Sequence, residues 1–264
     1  MTGGRAPSTA LRVRHVQKAA ESVLMSLRIG KWLNRSITIQ FATARLDDEA
    51  RPFLRRFLKL ARDWLAKRGA GSLCFVAAFE AKGGLHVHLL LHVPIGLWSD
   101  FRDAERHWLR RALAKHGGED CPEVLRDRAI VHYKNLVCGV ASERDYLKQL
   151  GNTLVYRMKG ATRMNAARYM GMSDEEIENL TDKMRPSPQG LVWGRRVSVS
   201  HNLLSHGISP TLHPDPQLTW IGNANREIAA GRASHAATLK LGDPPLGIGA
   251  TPPRVYHAAH RRKH

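Results

Sequence analysis

The sequence predicts an α+β fold, a single antiparallel sheet in a split βαβ arrangement with helices on one face. Three observations carry this. Segments with period 2 and period 3.6 follow one another as strand, helix, strand, strand, helix, strand. The two middle strands are joined by Lys82-Gly83-Gly84, a tight hairpin loop. No segment reaches the roughly 20 apolar residues of a membrane span, so the apolar residues must be buried between packed layers.

Each element has its own signal. Residues 1–14 are small, polar and basic. From Val16 to Leu27, Val16, Ala19, Ala20, Val23, Leu24 and Leu27 recur at helical spacing, and residues 1–35 read as a basic extension carrying this amphipathic helix. Ser36–Thr43 alternates as a strand. Asp47, Asp48 and Glu49 supply cap and first-turn acids, and Phe53, Leu54, Phe57, Leu58, Ala61, Trp64 and Leu65 form the buried stripe of the helix that follows. Leu73–Glu80 and Leu85–Val93 are the hairpin strands. Ser99–His116 is a helix, Ala129–Leu136 a strand, and Ser142 with Asp145 opens a helix running to Lys159, with Gly151-Asn152 a place for a kink. Residues 160–189 are rich in loop residues. Leu191–Ser200 reads as a further strand. From 206 to 264 the composition turns to Pro, Gly and Ala and ends His-Arg-Arg-Lys-His, the pattern of a largely disordered basic tail.

Charge points to the partner. The chain has 264 residues, with 41 Lys and Arg against 23 Asp and Glu, for a net charge of +18. Such a surface calls for a polyanion, and nucleic acid fits best. No polybasic cluster flanks an apolar anchor, so a membrane partner is not expected. The start of the chain carries no apolar stretch of signal-peptide length, so a cytoplasmic location is expected. Cys74, Cys121 and Cys138 are odd in number and lack CxxC spacing, which excludes a disulfide framework and a thiolate zinc site.

The chemistry concentrates on the hairpin. Side chains alternate along a strand, so Leu85, Val87, Leu89, Leu91 and Val93 face one way while His86, His88, Leu90 and His92 face the other. A three-residue loop sets Glu80 opposite His86, and directly opposed residues share a face about 4.5–5.5 Å apart at Cβ. One carboxylate and two imidazoles then converge as a divalent-metal site with open coordination positions. The same trio could serve iron in an oxygenase or zinc in a hydrolase, but small-molecule oxidation gives no reason for a charge of +18. His92 lies farther along the face and is expected to be structural.

The run FEAKGGLHVHLLLHVP resembles the metal-binding motif of the HUH superfamily of single-strand DNA endonucleases, and across about residues 36–205 the chain is similar to rolling-circle replication initiators. Tyr156-Arg157-Met158-Lys159-Gly160 looks like their Tyr-x-x-Lys motif, and Gly194–Leu203 is similar to a segment after their catalytic tyrosine. The resemblance implies a ferredoxin/RRM-like HUH endonuclease fold with Glu80, His86 and His88 holding Mg²⁺ or Mn²⁺. It implies nicking and joining of single-stranded DNA, at a plasmid or phage origin or an element end, through a tyrosyl-5′-phosphate. A single-tyrosine transposase, or a non-catalytic nucleic-acid-binding domain of the same fold, shares these features. Without a GxxxxGK[ST] motif, unwinding would need a separate helicase. Tyr156 and Tyr146 both qualify as nucleophile. Tyr156 lies opposite the apolar arc of its helix with Lys159 three residues on, while Tyr146 borders the arc and Tyr133 sits in a strand. Arg157, Arg195 and Arg196 are the candidate DNA-backbone contacts.

Overall fold

A computed structural model of the chain describes residues 8, 11–42, 46–116, 130–136, 142–158, 190–204 and 220–240. Its elements are α1 (Val13–Arg28), β1 (Arg35–Gln40), α2 (Ala50–Ala66), β2 (Phe75–Glu80), β3 (His86–Leu91), α3 (Trp98–His116), β4 (Ile130–Asn135), α4 (Glu143–Arg157), β5 (Val197–Val199) and α5 (Trp220–Lys240). The strands make one antiparallel sheet in the order β4-β1-β3-β2-β5. The expected succession β1-α2-β2-β3-α3-β4 is present, with β5 added at the β2 edge.

Alternation along the strands divides the core in two. Ile37 and Ile39 of β1, Ala77 and Phe79 of β2, and Val87, Leu89 and Leu91 of β3 pack with Phe53, Phe57 and Leu65 of α2 and Phe101 and Leu109 of α3. The alternate positions Val76, Ala78 and Leu90 pack with α1, with Tyr146, Leu147, Leu150 and Leu154 of α4, and with Trp220, Ala224 and Ile228 of α5. Arg35 Nη2 meets Glu105 Oε2 at 2.7 Å, a buried ion pair that fixes α3 against β1. Ser142 caps α4 as expected, its Oγ accepting from the Asp145 N–H at 3.1 Å.

Helices therefore cover both faces of the sheet, not one. Two expectations fail with that. The first helix is no extension: Ala19, Ala20, Val23 and Leu24 are completely buried, so α1 belongs to the domain. Within the segment read as a disordered tail lies the 21-residue α5. Its Pro/Gly-rich flanks dominate the composition, yet residues 220–240 are rich in alanine, a strong helix former, and Trp220, Ala224 and Ile228 line up at i, i+4, i+8. Nor is α4 broken at Gly151. The helix continues, and a Cβ at that position would lie 2.7 Å or less from Nε1 and Cδ1 of the Trp220 indole, whose N–H donates to the Leu147 carbonyl at 2.8 Å. The segment read as a strand over 191–200 narrows to three residues, with Val192 paired instead to Ser8.

Gly231 shows how closely α5 docks on α1: a Cβ there would sit 1.9 Å from the Arg28 carbonyl oxygen. In a free helix Gly→Ala stabilises by about 1 kcal/mol. Here Gly231→Ala must push the helices apart, and a loss of about 2–3 kcal/mol is expected, measured as a lowered urea midpoint.

Candidate metal centre and its neighbouring tyrosine

On the face under α1, α4 and α5 the central strands place the apolar Val76, Ala78 and Leu90 beside a group of polar side chains. Leu90 and Val76 give way to Thr38, His88, Glu80 and His86 within three rungs of the ladder. The hairpin produces the juxtaposition as the sequence predicts: Glu80 pairs with His86 and Ala78 with His88. The turn closes with the Gly84 N–H donating to the Ala81 carbonyl at 3.2 Å, and Gly83 takes the left-handed conformation it needs at φ 72°.

One potential ligand atom from each of Glu80, His86 and His88 lies within 4.8 Å of the others. His86 Nε2 is 3.4 Å and His88 Nε2 3.7 Å from the same oxygen of Glu80, Oε2. The imidazoles stand at 83° with centroids 4.9 Å apart. Both have the other ring nitrogen engaged. Nδ1 of His86 is 2.8 Å from the Gly84 carbonyl, and Nδ1 of His88 is 2.9 Å from Thr38 Oγ1. With Nδ1–H donating to those oxygens, each ring turns the Nε2 lone pair towards the carboxylate, the tautomer a metal ligand requires. Burial pushes the His88 imidazole down to about 4, against the pull of the Glu80 carboxylate, so it is neutral at pH 7. His88 Nε2 is buried without a hydrogen-bond partner among the described residues. The donor set therefore fits a divalent cation, and the group can hold one. Thr38→Val, which removes the acceptor for His88 Nδ1–H, is expected to weaken Mn²⁺ binding about 10–100-fold without displacing any ligand, as isothermal titration would register.

The two candidate tyrosines have opposite surroundings. Tyr146 is 1 % exposed, stacked on Trp32, and its hydroxyl donates to the Leu33 carbonyl at 3.0 Å. Burial raises its phenol well above the ordinary value. It is a core residue and not, as the sequence allows, a candidate nucleophile. Tyr156, in the last turn of α4, is 50 % exposed, its ring centroid 6.4 Å from that of His88. Lys159 lies outside the described residues, as does the side chain of Tyr133.

The arginines divide in the same way. Arg157 does not reach out to a DNA backbone: it is buried, donates to Ser36 Oγ, and its charge adds to the lowering of the His88 imidazole. Its spacing from Leu150 and Leu154 carried the signal, since i+7 and i+3 put it on the buried stripe of α4. Arg196 is completely buried, its Nε donating to Ser8 Oγ at 2.8 Å and its Nη2 to the Ser8 and Gly190 carbonyls, so it too is no backbone contact. Arg195 is exposed. Thr38 and Ser36 escaped the sequence reading because their nearness to the hairpin depends on the register of β1 against β3.

His92 is structural, Nδ1–H donating to the Trp32 carbonyl at 2.8 Å. Burial lowers its imidazole to about 4. The folded protein thus keeps it neutral while the unfolded chain protonates near 6.5, so its stabilisation is present above pH 6.5 and lost as pH falls towards 4. Between pH 7 and 5 this group should cost about 2 kcal/mol. The urea midpoint of His92→Gln is expected to fall correspondingly less than that of the wild type. Among the described residues no helix is long and apolar enough to cross a membrane. No protein family, curated protein or solved structure matches the chain.

Proposed function

We propose that the protein is an endonuclease and strand transferase of the HUH type, nicking and joining single-stranded DNA to initiate rolling-circle replication of a plasmid or phage. The observation that carries this reading is the half-exposed Tyr156 ring beside His88, at the edge of the Glu80–His86–His88 group. Mg²⁺ or Mn²⁺ bound by those three residues would supply Lewis-acid polarisation of the scissile phosphate. The Tyr156 hydroxyl attacks phosphorus in line. The bond to the 3′-oxygen breaks, that oxygen takes up a proton, and the phenol proton is released. A 5′-phosphotyrosyl ester and a free 3′-hydroxyl result. Because the ester keeps the bond energy, attack by a 3′-hydroxyl reverses the step and rejoins a strand. Arg157, the residue after Tyr156, adds a buried positive charge on the same side of the sheet as the Glu80 carboxylate. The net charge of +18 supports a polyanionic substrate.

The test is incubation with single-stranded DNA and Mn²⁺ followed by a denaturing gel. A covalent protein–DNA adduct that requires the metal is expected. Binding without any adduct, across pooled sequences drawn from candidate origins, would leave a non-catalytic DNA-binding domain instead.

A further inference from the structure

Residues 191–196 lead into β5 at the β2 edge, with Val192 and Arg196 buried and Leu191, Trp193 and Arg195 exposed. Trp193 is 65 % exposed. A large aromatic in water is ordinarily a sign of looseness, but here the backbone beneath it is clamped. The Arg51 guanidinium lies 4.6 Å over the Phe79 ring and donates to two carbonyls, that of Trp193 at 3.0 Å from Nε and that of Arg195 at 2.8 Å from Nη2. Gly194 between them has φ 78°, and a Cβ there would come within 3.2 Å of the guanidinium. The glycine thus lets both carbonyls converge on one cation. On the other side Arg196 ties the segment to Ser8 and Gly190.

Cations gather at this segment. Arg195 lies close enough to Lys18 and to Arg51 for its charge to be felt at both, and Arg55 adds its own at Arg51. None of these four cations forms an ion pair with a carboxylate among the described residues. The platform also adjoins the candidate site. Gly190 packs on the backbone of Ala81, the residue after Glu80, and three residues from Gly190 to Trp193 span at most about 11 Å.

We infer that Trp193 is a base-stacking platform for single-stranded DNA, with Arg195, Lys18 and Arg55 holding the adjoining phosphates. An exposed indole on a clamped backbone, beside cations without a carboxylate partner among the described residues, suits an unstacked base, which offers a bare π-face. A duplex keeps those faces covered by neighbouring base pairs. The choice of DNA rests on the nicking reading above, and the platform deepens it by giving the strand a grip outside the reacting centre.

Binding can be measured apart from chemistry. Full-length protein carrying Tyr156→Phe, in EDTA, is titrated into fluorescein-labelled oligo(dT) and into a blunt hairpin duplex, with anisotropy as the readout. Trp193→Ala is expected to weaken oligo(dT) binding about 5–150-fold, the range for loss of one stacked base, and Trp193→Phe to restore most of it. Arg195→Gln should reduce the salt slope by about one phosphate contact. The proposal is overturned by an oligo(dT) affinity within twofold of the parent in Trp193→Ala, or by equal losses on duplex and single strand. Because the assay contains neither metal nor nucleophile, absence of nicking would sink the proposed reaction and leave the platform standing. Nicking by a Trp193→Ala protein with parental affinity would do the reverse.

Discussion

Tyr156→Phe is expected to abolish the covalent protein–DNA adduct, by about a thousandfold or more, since among the described residues no other phenol lies beside the Glu80–His86–His88 group. The alternative on the same helix is closed off by its surroundings. Tyr146 would have to leave its stacking on Trp32, give up the Leu33 carbonyl and ionise where burial opposes it. The substitution removes one oxygen from a half-exposed ring and keeps the edge contact with His88, so folding and Mn²⁺ binding should be unchanged. Thermal melting and metal titration check that, and a denaturing gel reads the adduct. An adduct that survives in Tyr156→Phe would overturn the assignment of the nucleophile.

How much of this site was legible in the chain depends on how local each contact is. Glu80, His86 and His88 come together through strand alternation and a loop of known length, both readable from sixteen consecutive residues, FEAKGGLHVHLLLHVP. The helical wheel likewise turned Tyr156 away from the apolar arc. What the wheel could not say was what the tyrosine would face, because that depends on how α4 lies across the sheet. The same limit hid Thr38, whose place beside His88 is set by pairing across 50 residues, and the burial of Arg196 against Ser8, whereas the burial of Arg157 is legible in its spacing from Leu150 and Leu154. The error over α1 and α5 had another source. Composition and periodicity disagree there: basic and Pro/Gly-rich flanks surround both helices, yet Trp220, Ala224 and Ile228 have the spacing of a buried stripe.

The placement of Glu80 leads to a second large effect, and to a difference between two variants that sequence alone would treat as equivalent. His86 and Glu80 are both candidate ligands, but their burdens differ. His86 sits at the partly exposed end of the group, and its side chain can be cut back without emptying the core. Loss of an outer partner of a ligand costs about 10–100-fold in metal affinity, so loss of a ligand itself should exceed about a hundredfold. His86→Ala is therefore expected to lose Mn²⁺ binding and adduct formation together while melting near the wild-type temperature. Glu80 is completely buried, and its carboxylate also balances Arg157 and Arg196, both of which feel its charge. Removing that balance strands buried cations, at a cost of about 3 kcal/mol. Glu80→Gln should thus lose the metal and also unfold at a clearly lower urea concentration. Because the stranded Arg157 guanidinium is a source of that loss, the double variant Glu80→Gln/Arg157→Met should recover part of the stability but none of the metal binding. Equal stability of His86→Ala and Glu80→Gln, measured side by side in urea, would show that the carboxylate serves the metal alone and that the arginines are balanced by other groups.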